Sequence, residues 1–148
     1  MKKFITVSVV LGLVGVALAF GWPYLKIGFA SSAYYTERDK PEYEYYTPEL
    51  LKKMPRISNN YEFSYNNISG PQAYVFSVNF HGSSDSIEIQ NYLKTKGYKL
   101  QKTCHVEAVC WRSYKNNDVI SIATFPSSNE VFVDLYRSPY TEPLAHDK

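Results

Sequence analysis

The chain has 148 residues, 45% of them hydrophobic, with 16 basic and 14 acidic side chains. Setting aside Lys2 and Lys3 leaves 14 of each sign, so the body is charge-balanced and lacks the basic footprint of a nucleic-acid binder. The length allows one compact domain with an appendage and excludes a two-domain enzyme of dehydrogenase or kinase size.

Met1-Lys2-Lys3 precedes 22 uncharged residues, Phe4 to Leu25, and Lys26 ends the run. A helix rising about 1.5 Å per residue carries this stretch over about 33 Å, enough for a hydrocarbon core of about 30 Å. Residues 1–25 are therefore expected to be a transmembrane signal-anchor helix that meets the membrane through residues 4–25. The alternative is a signal peptide cleaved after Ala19, because Ala17-Leu18-Ala19 has the small-x-small pattern of a processing site. Phe20, Trp22 and Tyr24 favour retention, since aromatic rings belong at a membrane interface rather than at a polar mature terminus. The lysines lie on the N-terminal side, and cytoplasmic flanks are the basic ones. The expectation is a single-pass inner (cytoplasmic) membrane protein, its N-terminus in the cytoplasm and its C-terminal domain in the periplasm or outside.

Residues 26–46 mix charges with Tyr34, Tyr35, Tyr43, Tyr45 and Tyr46 and hold no periodicity for long, as expected of a juxtamembrane connector whose rings rest on the folded body or the lipid interface. Thr47-Pro48-Glu49 then reads as an N-cap, a proline at the first helical position and an early acid, with Pro55 stopping a short helix. From Asn60 the pattern switches to period two. Tyr61, Phe63 and Tyr65 alternate with polar residues, Asn67 to Pro71 make a turn, and Tyr74, Phe76, Val78 and Phe80 share one face of a second strand over 72–81. Asp85, with Glu88 three residues on, marks a helix start of capping-box type; Ile89, Tyr92, Leu93 and Lys96 follow at helical spacing, and Gly97 suits the residue after the helix. Four strands complete the body, at 98–104, 109–114, 119–125 and 130–137. The short turn-forming links 115–118 and 126–129 predict antiparallel hairpins. The fold class expected is α+β, a small antiparallel sheet domain of order β-β-α-β-β-β-β over 47–137 with one main helix packed on the sheet, followed by a disordered tail at 138–148.

Cys104 and Cys110 are the only cysteines, and an even pair in an exported domain predicts a disulfide. A metal alternative built on Cys104, His105 and Cys110 lacks the second ligand pair of a zinc site. His81, Ser83, Ser84 and Asp85 cluster at a strand-to-helix turn, yet helix capping accounts for the same residues and no nucleophile elbow is present. His146 falls in the tail, and no catalytic, metal or cofactor site is expected.

The more substantial signal is Trp111-Arg112. If Cys110 and Arg112 share a strand face, Trp111 points the other way, so one of the pair is displayed. Trp111, Arg112, Tyr114, Tyr136 and Arg137 are therefore candidate partner-binding residues, these being side-chain types that carry interface energy; the competing reading makes Trp111 a core anchor. The function expected is a membrane-anchored extracytoplasmic binding protein without catalysis, an inhibitor or immunity protein that masks a toxin or hydrolase. An accessory subunit of an envelope assembly is the alternative, and a small hydrolase the third. A protein partner is expected and a nucleic acid is not.

Overall fold

A computed structural model describes residues 1–70, 72–104 and 107–144 of the chain, which divides into two compact units, Met1–Ala30 and Ser31–Lys148. Pro71, His105 and His146, named above, lie outside the described residues.

The first unit is helix α1 (Lys2–Phe29). Its apolar residues occur on every side, so no stripe directs it against a soluble core; Phe4, Val10, Leu11, Leu18 and Phe20 are all exposed. Lys2–Trp22 is long and apolar enough to cross a membrane, and among the described residues no other helix is. The helix continues a turn beyond the expected end at Leu25, through Lys26.

The second unit is an α+β domain built on a seven-stranded antiparallel sheet of order β1-β2-β3-β7-β6-β5-β4. The strands are β1 (Ser32–Tyr35), β2 (Asn60–Ile68), β3 (Ala73–His81), β4 (Tyr98–Leu100), β5 (Val109–Ser113), β6 (Val119–Phe125) and β7 (Glu130–Arg137). The helices of this unit are α2 (Lys40–Tyr46), α3 (Glu49–Lys52) and α4 (Ile87–Thr95). Both late hairpins form as their turn residues predict. The β6–β7 link closes with Asn129 at φ 59°, a left-handed position that asparagine tolerates, and the Asn129 carbonyl accepts a hydrogen bond from Gly82 N–H at 2.8 Å.

Period-two alternation decides which side chains share a face. The register sets Phe63, Val78, Val133 and Ile122 in one row across β2, β3, β7 and β6, and Leu135, Ile120 and Trp111 join the same face. Each of these is at most 2% exposed. Helix α2 covers the β2 end, with Tyr43 edge-on to Phe63 and Tyr46 stacked on Tyr65 at 4.4 Å between ring centres. Helix α4 buries Ile89 and Leu93 completely and is tied to α3 by Tyr92 Oη–H donating to the Leu50 carbonyl at 2.7 Å. Arg56 clamps this layer. Its guanidinium donates to the Leu51, Lys52 and Met54 carbonyls and to Glu37, and lies over the rings of Tyr61 and Phe63.

Four local expectations change. Residues 32–46 contribute β1 and α2 to the domain instead of linking it to the membrane helix, because Tyr35 stacks on Phe63 and Tyr46 on Tyr65. Thr47 does not cap α3. Its hydroxyl bonds the buried Tyr35 hydroxyl at 2.8 Å, and burial pushes that phenol up to about 12. At α4 the N-cap is Ser86, and Asp85 acts one position earlier, its Oδ1 accepting from Ile87 N–H at 3.0 Å. Residues 138–144 are not loose: Ser138 is buried, Asn117 Nδ2 donates to its carbonyl, and Leu144 N–H donates to the Ser113 carbonyl at 3.0 Å.

Candidate binding face of the sheet

The helices cover one face of the sheet, and the alternate side chains of the same strands make the other. On that open face the register aligns Val75, Tyr136, Val119, Arg112 and Lys99 in one row across β3, β7, β6, β5 and β4. The next row is Ser77, Asp134, Ser121 and Cys110. Apart from Lys99 and Ser77, the residues of these two rows floor a groove of about 620 Å³. Gln101, Thr103 and Cys104 stand along one side after β4, and Thr141 stands beyond β7. A volume of this size lies in the range of ligand-holding clefts.

The walls are fastened to the floor. Cys104 and Cys110 are joined in a disulfide with a Cα separation of 5.4 Å, so the segment after β4 is closed covalently onto β5. Gln101 N–H adds a hydrogen bond to the Cys110 carbonyl at 2.8 Å. Arg112 reaches the other way, its Nη2 donating to the Glu142 carbonyl, which holds the C-terminal segment beside the groove. Among the described residues no carboxylate pairs with Arg112. Two strands away Asp134 accepts the Ser77 hydroxyl through Oδ1 at 2.5 Å, and among the described residues no Lys, Arg or His forms an ion pair with it.

The five residues expected to bind a partner separate here. Arg112 and Tyr136 line the groove, adjacent in the row to Val119. Trp111 is corrected to a core residue: it is 1% exposed on the covered face, as alternation from Cys110 and Arg112 requires, and its indole N–H has no acceptor among the described residues. Arg137 is also on the covered side of the sheet, where it makes a two-pronged contact with Asp118 at 2.9 and 3.0 Å and lies over Phe76. Tyr114 follows β5 and is half-buried. Asp134, Ser121, Val119 and Val75 are the groove residues that composition did not single out. Their signal is the strand alternation itself, which marks them as off-core but does not say that they meet.

A second feature of the open face is His81 at the end of β3. Its Nε2 lies 3.2 Å from Glu62 and its Nδ1 2.7 Å from Glu130. The hydrogen bond with Glu62 raises its pKa above the ordinary 6.5 against the opposing effect of burial, and the hydrogen bond with Glu130 adds to the rise. The two glutamates occupy opposite edges of the ring and do not converge on a common point. Ser83 and Asp85 engage the backbone, Ser83 Oγ accepting from Asp85 N–H, so neither is paired with His81. Among the described residues no group of three or more His, Cys, Asp or Glu side chains converges as a metal site would require.

Comparison with protein-family models, with curated proteins and with solved structures finds no match.

Proposed function

We propose that the chain is a membrane-anchored binding protein. In this reading α1 holds the sheet domain on the non-cytoplasmic side of a membrane, and a protein partner docks on the uncovered face of the sheet. The observation that carries it is the groove over Val75, Val119 and Tyr136, walled by a disulfide-closed segment and by the C-terminal segment that Arg112 holds. A concave, mainly apolar floor with a few charged groups at its margins is what a recognition site requires. The disulfide supports an oxidising compartment for the domain. The lysines before α1 support a cytoplasmic N-terminus. Masking a toxin or hydrolase, as an inhibitor or immunity protein does, is the role this layout serves most directly.

Site-specific photocrosslinking in the native membrane tests the reading. A photoreactive residue at Tyr34, 81% exposed on the open face, is expected to trap one discrete protein adduct, while the same residue at Ile87, 61% exposed on α4, is expected to trap none. Equal labelling from both positions, or none from Tyr34, would overturn it. Replacing α1 by an unrelated membrane-spanning helix separates this reading from an accessory-subunit role. A tethered binder keeps its adduct, whereas a subunit that assembles through α1 loses it.

A further inference from the structure

We infer that the groove takes an extended peptide segment of the partner, with an acidic side chain set against Arg112, a basic side chain set against Asp134, and an apolar side chain between them over Val119 and Tyr136. This deepens the proposed function and rests on its assignment of the open face.

The charges argue for that occupant. Lys99 and Arg112 are cross-strand neighbours at the β4–β5 end of the open face, and neither has a carboxylate partner among the described residues. Asp134 carries the opposite sign on β7, with the Ser77 hydroxyl donating to its Oδ1. Glu130 and Glu62 lie farther along β7 and β2, both paired with His81. This part of the open face is therefore polarised across the strands, basic at Lys99 and Arg112 on β4 and β5 and acidic at Asp134 on β7, with Val119 on the strand between. A ligand of one charge would meet attraction at one end of the groove and repulsion at the other.

Spacing narrows the occupant to a short stretch of chain. Arg112 and Asp134 are two strands apart and two residues out of row, because Arg112 pairs with Val119 and Val119 with Tyr136. With about 4.8 Å between strands and about 3.4 Å per residue, their backbones are about 12 Å apart. In an extended peptide alternate side chains face the same way, so side chains at i, i+2 and i+4, about 14 Å from first to last, cover that distance on one face. One apolar residue then falls over Val119 and Tyr136, with the acid and the base at either end. The Ser121, Gln101, Thr103 and Thr141 side chains line the groove and supply hydroxyl and amide groups to such a backbone.

The test uses the full-length protein in detergent and fluorescein-labelled synthetic hexapeptides in which Glu and Lys stand four positions apart with Leu or Phe midway between them, with binding read by anisotropy. Replacing the peptide's Lys by Gln is expected to weaken binding about fivefold. Asp134→Asn is expected to produce the same loss and to leave the Gln peptide unaffected. Asp134→Lys is expected to recover affinity for a peptide whose Lys has become Glu, a rescue that a merely unfolded variant cannot give. Tyr136→Ala is expected to abolish the preference for Leu or Phe. An uncharged peptide binding as tightly as the charged one, an Asp134→Asn variant indifferent to the change, or no peptide binding at all would overturn the inference. If the Tyr34 adduct still forms in those cases, the open face remains the docking surface and only this occupant falls; if the adduct is absent as well, both readings fall.

Discussion

The two faces of this sheet are made by the same strands and differ in everything else. On the covered face aromatic and aliphatic side chains run in unbroken rows, Phe63 to Val78 to Val133 to Ile122, and α2, α4 and Arg56 close over them. On the open face each row mixes types, one ending in Arg112 and Lys99 and the other in the Cys104–Cys110 disulfide. The lesson is a division of labour by alternation. Residues at one parity bury surface and hold the domain together; their neighbours in sequence are released to carry charge and shape for a partner.

That division can be broken most severely at Trp111 and Tyr136, which lie on adjacent rows of opposite faces. Trp111→Ala is expected to cost about 3 to 5 kcal/mol, because it empties the largest fully buried side chain of the described core. Tyr136→Ala is expected to cost under about 1 kcal/mol while removing the groove floor. Urea unfolding of both variants checks the contrast, and a comparable loss at Tyr136 would show that the open face is structural. Next in size is the covalent wall. Closing a seven-residue ring stabilises by about 2 kcal/mol in the chain-entropy account, so the double replacement of Cys104 and Cys110 by serine is expected to lower the unfolding free energy by that amount. The loss should come with the Tyr34 adduct intact if the wall shapes the groove without forming the whole docking surface.

The smallest effect sharpens the comparison through pH. Glu62 and Glu130 favour the charged imidazolium of His81, so its folded pKa is above the ordinary 6.5 of the unfolded chain. The stabilisation is then fully present below about pH 6.5 and fades as pH rises through the higher folded value. Urea midpoints measured between about pH 5 and 9 are expected to fall over that interval in the native protein and to stay flatter in His81→Gln. A midpoint that rises with pH over the same interval would show that the two carboxylates do not hold the charged ring. The residue is solvent-accessible, so the change is small beside those at Trp111 and the disulfide.

Much of this was legible because alternation and turn chemistry are local. Tyr74, Phe76, Val78 and Phe80 declare one face of β3 by spacing alone, Gly97 at φ 88° ends α4 as a glycine must, and the asparagine- and serine-rich links at 115–118 and 126–129 set the last hairpins. The opposite orientations of Trp111 and Arg112 follow from the same rule. Residues 32–46 were illegible for the converse reason: a four-residue strand and a seven-residue helix have no periodicity long enough to register, and each is held by rings stacking on strands about 20 to 30 residues away in sequence.

The linear order of residues therefore determined the membrane-length α1, the closing of Cys104 on Cys110 and the parity of each strand, since these depend on neighbours a few positions apart, and the charge balance of the body follows from composition alone. Which parity the helices would cover, and so whether Trp111 or Arg112 would face outward, waited on α2 and α4 docking over distant strands. The groove itself came last: Arg112, Asp134 and Val75 stand on three strands, and only the register of β3, β7, β6 and β5 lays them on one floor.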